Sequence, residues 1–271
     1  MELIITLDKL SKIDLYRDFD SFLIVNQDFS AFHKFGLSSS STKTAIKKLH
    51  ALNKKAYVLL DRLFFNEELV KLDSYIDELE KLACDGYFFS DLGFLKLLKN
   101  KNLVNKGIYY SQTQIVSSLE LSAYLDEGLS GIFVSKDYPL NNLKTCLTKY
   151  DSVGINIYGY RNLFYSRRKL LSAYQDEYEL KGKFNKSDAY LIREQKRTTK
   201  SIIYEDDFGT YVFTDYIDSH LSEIEDFKNA KYLLIDDNFI EAEYMVKVLD
   251  FIHKSETKYE LNELEKDTYE R

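Results

Sequence analysis

The chain has 271 residues, of which 45% are hydrophobic, and it carries a formal charge of −7 at pH 7. This length and apolar content suffice for one large domain with a sizeable core, and they exclude a largely disordered chain. Ten glycines and a single proline leave little turn material for a many-turned β-sandwich, and the acidic balance gives no overall nucleic-acid signature.

Eight short apolar segments rich in Ile, Val, Tyr and Phe recur along the chain, and helical patterns follow them. Near-continuous apolar strands indicate burial on both faces, as in a parallel sheet covered by helices. The segments are residues 2–6, 21–25, 56–60, 86–90, 107–111, 131–135, 154–158 and 232–236. Eight such strands predict an α/β fold, a (β/α)8 TIM-like barrel.

The intervening segments show the spacing of amphipathic helices, most clearly from Asn66 to Ala83, where Leu or Ile recurs every three or four residues. Asn66 is the expected N-cap of that helix, because the acidic Glu67 and Glu68 follow it. Weaker patterns predict further helices over Thr42–Asn53, Ile115–Glu127, Leu140–Lys149 and Ile240–His253.

The connection between the seventh and eighth strands is much longer than the others and predicts an insertion over residues 160–228. Within it, residues 201–205 and 210–214 form a predicted β-hairpin, with Gly209 supplying a positive φ. A short helix from about Tyr216 to Phe227 is expected to follow. We therefore predict one barrel domain over residues 1–254 that contains this insertion. A charged C-terminal tail over residues 255–271 is expected to be frayed or helical on the surface.

Cysteine usage and the N-terminal sequence bear on compartment and cofactors. Cys84 and Cys146 lie far apart with no histidine nearby, so we expect two buried thiols and no disulfide or metal cluster. The N-terminus lacks the basic start and long apolar run of a signal peptide, and no segment is apolar enough to span a membrane. These features predict a cytoplasmic protein without a metal or other cofactor.

The net charge is locally reversed between Arg161 and Lys200, a segment that contains eleven basic residues and five acidic ones. Aromatic residues alternate with these cations, and that mixture suits phosphate contacts and base stacking on RNA. The predicted RNA-binding residues are Arg161, Tyr165, Arg167, Arg168 and Lys169. The alternative is a solvated basic loop that pairs with acidic groups of the same protein.

Polar side chains at the carboxyl ends of barrel strands surround the usual active-site mouth. Four carboxylates at such ends are candidate catalytic residues: Asp61, Asp91, Asp137 and Asp236. The alternative for each is helix capping or salt bridging. The four histidines are scattered and suggest no catalytic pair, and no nucleotide-binding, hydrolase or zincin motif is present.

Residues 154–174, GINIYGYRNLFYSRRKLLSAY, resemble the signature of the peptidase U32 family. The signature has a strand, a glycine, a cysteine, and then Tyr-Ser-Gly-Arg-Cys and Leu-Ser. The matching positions are Gly159, Tyr165, Ser166, Arg168, Leu171 and Ser172. Further segments resemble the family in matching order over roughly residues 1–254: AYVLLDRLFFNEEL, SDLGFL, VSKD, YEDDFGTYVFTDYID and LLIDDN.

The departures from this signature concern its cysteines. Asn162 and Lys169 stand where the family has cysteines, Arg167 replaces the glycine, and residues 181–200 contain no cysteine. The resemblance implies a relation to RNA and quinone hydroxylation proteins that hold an iron–sulfur cluster on four such cysteines. This chain cannot build that cluster, because a lysine ammonium does not replace a thiolate ligand.

Three functions remain open on this basis. The first is a cluster-less subunit or divergent member of a tRNA-modifying system for uridine 5-hydroxylation, which contacts tRNA while a cysteine-bearing U32 paralogue, as heteromer partner, performs the redox step. The second is a U32-type peptidase, although no nucleophile–base pair supports it. The third is a pseudoenzyme, a barrel that serves as a non-catalytic scaffold for the paralogue.

Overall fold

The computed structural model describes residues 1–111, 114–180, 182, 184–185, 188–196, 198–253 and 261–264. Within these residues the strands are β1 (Glu2–Leu7), β2 (Ser21–Val25), β3 (Lys55–Leu60), β4 (Gly86–Phe89), β5 (Gly107–Tyr110), β6 (Gly131–Phe133), β7 (Val153–Ser166), β8 (Ala189–Arg193), β9 (Lys200–Glu205), β10 (Thr210–Ser219) and β11 (Tyr232–Ile235). The basic residues Lys181, Lys183, Lys186 and Arg197 of the predicted RNA-binding segment lie outside the described residues.

Eight of the strands close into a parallel barrel, which confirms the predicted fold. Each strand from β1 to β6 pairs in parallel with the next strand along the chain, the last of these pairs being β6 with β7. The barrel closes because β11 pairs in parallel with both β7 and β1. All eight predicted apolar segments are strands of this barrel.

The strands separate two apolar layers. In β1, Leu3 and Ile5 pack in the layer between barrel and helices, whereas Ile4 packs inside the barrel. The interior is largely aromatic, with ring centroids 5.3–6.2 Å apart among Tyr57, Phe88, Tyr110, Phe133 and Tyr232. This packing fills the barrel, so access from solvent is at its ends.

The helices are α1 (Ser39–Ala51), α2 (Asn66–Glu80), α3 (Leu92–Asn100), α4 (Ser118–Leu125), α5 (Leu140–Lys149), α6 (Leu170–Glu177), α7 (Ala242–Ile252) and α8 (Leu261–Leu264). The five predicted helices are present as α1, α2, α4, α5 and α7. The predicted cap of α2 is wrong by one residue, because Phe65 is the N-cap. The Glu68 side chain accepts a hydrogen bond from the backbone N–H of Phe65. Asn66 is the first helical residue instead.

The insertion forms an antiparallel sheet on the carboxyl end of the barrel. β7 continues past the barrel and pairs with β10, which pairs with β9, and β9 pairs with β8. The predicted hairpin is confirmed as β9 and β10, and Gly209 has a φ of 156°. The predicted helix start at Tyr216 is wrong, because β10 continues to Ser219 and only Leu221–Phe227 forms a 3₁₀ turn.

Two further expectations concern the cysteines and the tail. Cys84 and Cys146 are free and buried, as predicted. In α8, Leu264 is buried in the core and its carbonyl accepts a hydrogen bond from Tyr158, so this part of the tail packs against the barrel. Among the described helices, none is both long and apolar enough to cross a membrane.

Candidate functional site

Two of the four predicted carboxylates meet at the mouth of the barrel, together with a histidine. Asp61 follows β3, Asp236 follows β11, and His33 lies in the loop between β2 and α1. His33 Nε2 lies 3.2 Å from Asp236 Oδ1, and His33 Nδ1 lies 3.1 Å from the carbonyl oxygen of Ala31. Because carbonyl and carboxylate oxygens only accept hydrogen bonds, both ring nitrogens donate and His33 is an imidazolium.

The electrostatics of the cluster agree with this assignment. Burial would lower the pKa of His33, but the charge of Asp236 and the hydrogen bond to it raise that pKa to about 9. Burial would raise the pKa of Asp236, but His33 holds it below its usual value. Burial raises the pKa of Asp61 to about 7, despite the opposing charge of His33. The mouth therefore holds an ion pair beside a carboxyl group that exchanges its proton near neutral pH.

The carboxylate of Asp61 and the amide of Asn238 fix the loop that carries His33. Asp61 Oδ1 accepts a hydrogen bond of 2.7 Å from the backbone N–H of Ala31. Asn238 donates to the carbonyl of Phe32 at 2.8 Å and accepts from the N–H of Lys34 at 3.2 Å. Phe32 adopts a φ of 61°, a conformation that needs such support in a residue with a side chain. His33 is thus held on both sides by barrel strand ends.

The other two predicted carboxylates lie elsewhere. Asp91 caps α3, accepting hydrogen bonds from the N–H groups of Gly93 at 2.6 Å and Phe94 at 3.2 Å. Asp137 is exposed and forms an ion pair with Arg161. Asp91 thus caps a helix and Asp137 forms a salt bridge, which are the alternatives to a catalytic role given above.

A second cation and a surface groove border the mouth. Lys136 Nζ donates to the carbonyl of Tyr160 at 3.2 Å, and burial lowers the pKa of Lys136 although Asp218 and Asp236 oppose this. A groove of about 730 Å³ runs beside the ends of β1 and β11, and its lining includes Asn238 and Phe239. The lining also includes Lys34, the residue after His33, but not His33, Asp61 or Asp236 themselves.

The predicted RNA-binding residues lie on the rim formed by the inserted sheet. Arg167 donates to the carbonyl of Leu63 at 2.9 Å, pairs with Glu68 at 3.5 Å and covers the ring of Phe65. Lys169 pairs with Asp207 at 3.3 Å, and both partners are exposed. Arg168 is exposed and forms no ion pair within the described residues. Tyr165 stacks on Tyr211 with centroids 5.1 Å apart, so one face of its ring is covered.

Comparison with known proteins decides the family. The model of peptidase family U32 matches residues 15–270. The chain belongs to the U32 family. The solved structure of a U32 peptidase superposes with a TM-score of 0.57 at 10% identity, covering 87% of this chain and 92% of that one, which shows a shared fold.

Two curated relatives are named for tRNA hydroxylation. The chain is 26% identical over 200 residues to tRNA hydroxylation protein P of Helicobacter pylori, covering 67% of this chain and 46% of the relative. It is 20% identical over 237 residues to tRNA hydroxylation protein P2 of Bacillus subtilis, covering 84% and 76%. The chain thus spans about half the length of the Helicobacter protein.

The structure also tests whether the U32 signature region of this chain fits an iron–sulfur cluster. Asn162 is buried, and its amide donates to the carbonyls of Val212 and Phe164, each at 3.3 Å. Lys169 presents an ammonium group to Asp207. The two cysteines lie elsewhere, Cys84 after α2 and Cys146 on α5. These residues do not fit a thiolate-bound cluster.

Sequence reasoning missed His33, Arg62 and Asn238 as residues of the mouth. His33 and Asp236 are separated by 203 positions, so no spacing signal links them. Arg62 directly follows Asp61 at a strand end, which was a usable signal. The position of His33 in the loop after β2 was a second usable sequence signal.

Proposed function

We propose that this chain is a member of a tRNA-modifying system for uridine 5-hydroxylation, that it contacts RNA, and that it holds no iron–sulfur cluster of its own. The observation that carries the proposal is its similarity to two tRNA hydroxylation proteins over 67% and 84% of its length. The U32 fold and the charged barrel mouth are consistent with a protein that binds a substrate there.

The RNA-contacting surface in this proposal is the rim at the start of α6. Arg168 and Lys169 are exposed there, and Leu163 and Phe164 are exposed on the neighbouring end of β7. Cations beside an exposed aromatic ring suit phosphate contact with stacking of an unpaired base. Lys169 is paired with Asp207 in an exposed contact, whereas Arg161 and Arg167 are paired with Asp137 and Glu68 and are less exposed, so we assign these two arginines a supporting role.

The redox step is assigned to a different chain. Because Asn162 and Lys169 replace two signature cysteines, we propose that a cysteine-bearing U32 paralogue acts as heteromer partner and carries the cluster. The present chain would then position tRNA for that partner. Size-exclusion chromatography of the two purified proteins, alone and mixed, tests this: a shared earlier peak is expected, and separate elution contradicts the heteromer.

A peptidase function has less support. Ser166 Oγ accepts a hydrogen bond from the N–H of Arg168, and Ser172 Oγ donates to Glu205. Neither hydroxyl contacts a histidine within the described residues, whereas a serine nucleophile needs a base within hydrogen-bond reach. The scaffold alternative differs from the proposal only in the absence of RNA contact.

The decisive experiment on function is genetic. A strain that lacks this chain should lose 5-hydroxyuridine derivatives from its tRNA, as measured by mass spectrometry of nucleosides. Re-expression of the chain should restore them, and re-expression of an Arg168→Ala, Lys169→Ala double variant should restore them less. Unchanged levels in the deletion strain would refute the proposed function.

RNA contact is tested by binding of total tRNA across a salt series. Each lost phosphate contact reduces the slope of log affinity against log salt by about 1, so the double variant should lose about 2. The matched control is Lys43→Ala, Lys48→Ala on α1, which removes the same charge from a different helix. Equal slopes for the two double variants would place RNA contact elsewhere or exclude it.

A further inference from the structure

Most of the buried side-chain polar atoms without a hydrogen-bond partner in the described part of the chain gather between the barrel mouth and the β9–β10 turn. They are Asp61 Oδ2, Arg62 Nε and Nη1, and the hydroxyls of Tyr165, Tyr204 and Tyr211, whereas Asp8 Oδ1 and Glu223 Oε2 lie elsewhere. Nearly all buried polar groups in folded proteins are hydrogen bonded, and each exception is destabilising. Several exceptions in one place indicate a polar occupant.

Arg62 is the cation of this group, and its position is fixed. Its side chain is only 4% exposed, and Nη2 donates to Glu68 Oε1 at 2.7 Å. The ring of Phe208 in the β9–β10 turn covers the guanidinium, with the centroid 3.8 Å from Cζ. Nε and Nη1 therefore remain as two oriented donors in the plane of the group.

Around Arg62 the charge favours an anion, while the carboxyl groups of Asp61 and Asp206 face the neighbouring Tyr165 hydroxyl. Glu68 pairs with both Arg62 and Arg167, so one carboxylate faces two guanidinium groups. A buried cation that lacks full compensation is costly, and an anionic ligand would supply the missing charge. A guanidinium presents planar N–H donors that match the oxygens of carboxylates and phosphates.

The unpartnered tyrosines extend the site toward Asp61. Tyr165, Tyr211 and Tyr204 form a stack with centroid separations of 5.1 Å and 4.7 Å. Burial raises the pKa of Tyr165, while the charges of Arg167 and Arg62 oppose it, so this hydroxyl lies within electrostatic reach of Arg62. Asp61 likewise acts on Tyr204. The site therefore combines hydrogen-bond donors, from Arg62 and the tyrosine hydroxyls, with the carboxyl oxygen Oδ2 of Asp61.

We propose that the mouth beneath the β9–β10 turn binds a small free molecule that bears an oxyanion, either carboxylate or phosphate. Arg62 and the hydroxyls of Tyr165 and Tyr204 donate hydrogen bonds to the oxyanion, and Asp61 Oδ2 contacts a hydroxyl group of the same molecule. The phosphate backbone of RNA does not reach Arg62, because Phe208 covers it.

The test uses the full chain and two probe anions, inorganic phosphate and malonate, with chloride at matched ionic strength. Binding is followed by calorimetry and by the rise of the unfolding midpoint with anion concentration. Tyr204→Phe removes one hydroxyl without changing the ring. The variant should bind the responding anion about tenfold more weakly, the loss of one good hydrogen bond. Without anion it should be at least as stable as the parent.

Tyr75→Phe is the matched control, because the Tyr75 hydroxyl is buried and accepts a hydrogen bond of 2.9 Å from Asn26. It should lower stability and leave anion affinity unchanged. A response to phosphate alone or malonate alone supports the site and identifies its chemistry. If neither anion exceeds chloride, or if Tyr204→Phe destabilises the free protein as Tyr75→Phe does, bound water fills the mouth and the proposal is overturned.

Discussion

Replacement of His33 by Gln tests the charge state assigned to the barrel mouth. The pKa of His33 is raised from 6.5 to about 9, and this shift corresponds to about 3 kcal/mol of stabilisation. The folded protein keeps the proton between these two pH values, whereas the unfolded chain releases it. The contribution is therefore fully present below pH 6.5, decreases as the pH rises, and is lost above about 9.

The measurement is urea unfolding of the parent and the His33→Gln variant from about pH 6 to about pH 10, followed by far-UV circular dichroism. The difference in unfolding free energy should shrink by up to about 3 kcal/mol across that range. His253→Gln, at the exposed end of α7, is the control and should show a constant difference. A constant difference for His33→Gln as well would refute the imidazolium–carboxylate pair.

Three further substitutions test the fold around the site. Asp91→Ala should cost about 1 kcal/mol by urea unfolding, because it removes the cap of α3, and should leave tRNA binding unchanged. Gly209→Ala should lower the thermal midpoint, since its Cβ would lie 2.2 Å from the carbonyl oxygen of Ser166. Phe133→Ala should cost about 3–5 kcal/mol in the same urea assay by opening a cavity inside the barrel, and stability within about 1 kcal/mol of the parent would contradict the packing described.

The barrel could be predicted from sequence because its strands are buried on both sides. All five residues of β2 are buried, and the chain therefore shows a continuous apolar segment there. The elements that were missed have weaker patterns. β8 is half-exposed at the sheet edge, and α3 has only nine residues. Tyr216 shows why boundaries are harder: residues 217–219 continue the pairing of β10 with β7, and this tertiary contact prevails over local helical preference.

The candidate site could be predicted only in part. Asp61 and Asp236 were identified because strand ends of a barrel meet at one mouth. The same rule also selected Asp91, which caps a helix, since sequence does not show which way a strand-end carboxylate turns. His33 escaped notice because its partner is distant in sequence, and the loop that brings the two together is fixed by Asp61 and Asn238.

The rim and the mouth of this barrel differ in what they contribute to stability. At the rim, Asn162 donates to the carbonyl of Val212 in β10, and Lys169 pairs with Asp207 in the β9–β10 turn, so both residues at signature cysteine positions have partners within the protein. At the mouth, a guanidinium with two unpartnered donors and unpartnered tyrosine hydroxyls oppose folding, whereas the imidazolium of His33 is stabilised by its pairing with Asp236. Apolar residues of similar shape would make a pure scaffold more stable. A pure scaffold gains nothing from such groups, so their presence favours the proposed ligand at the mouth.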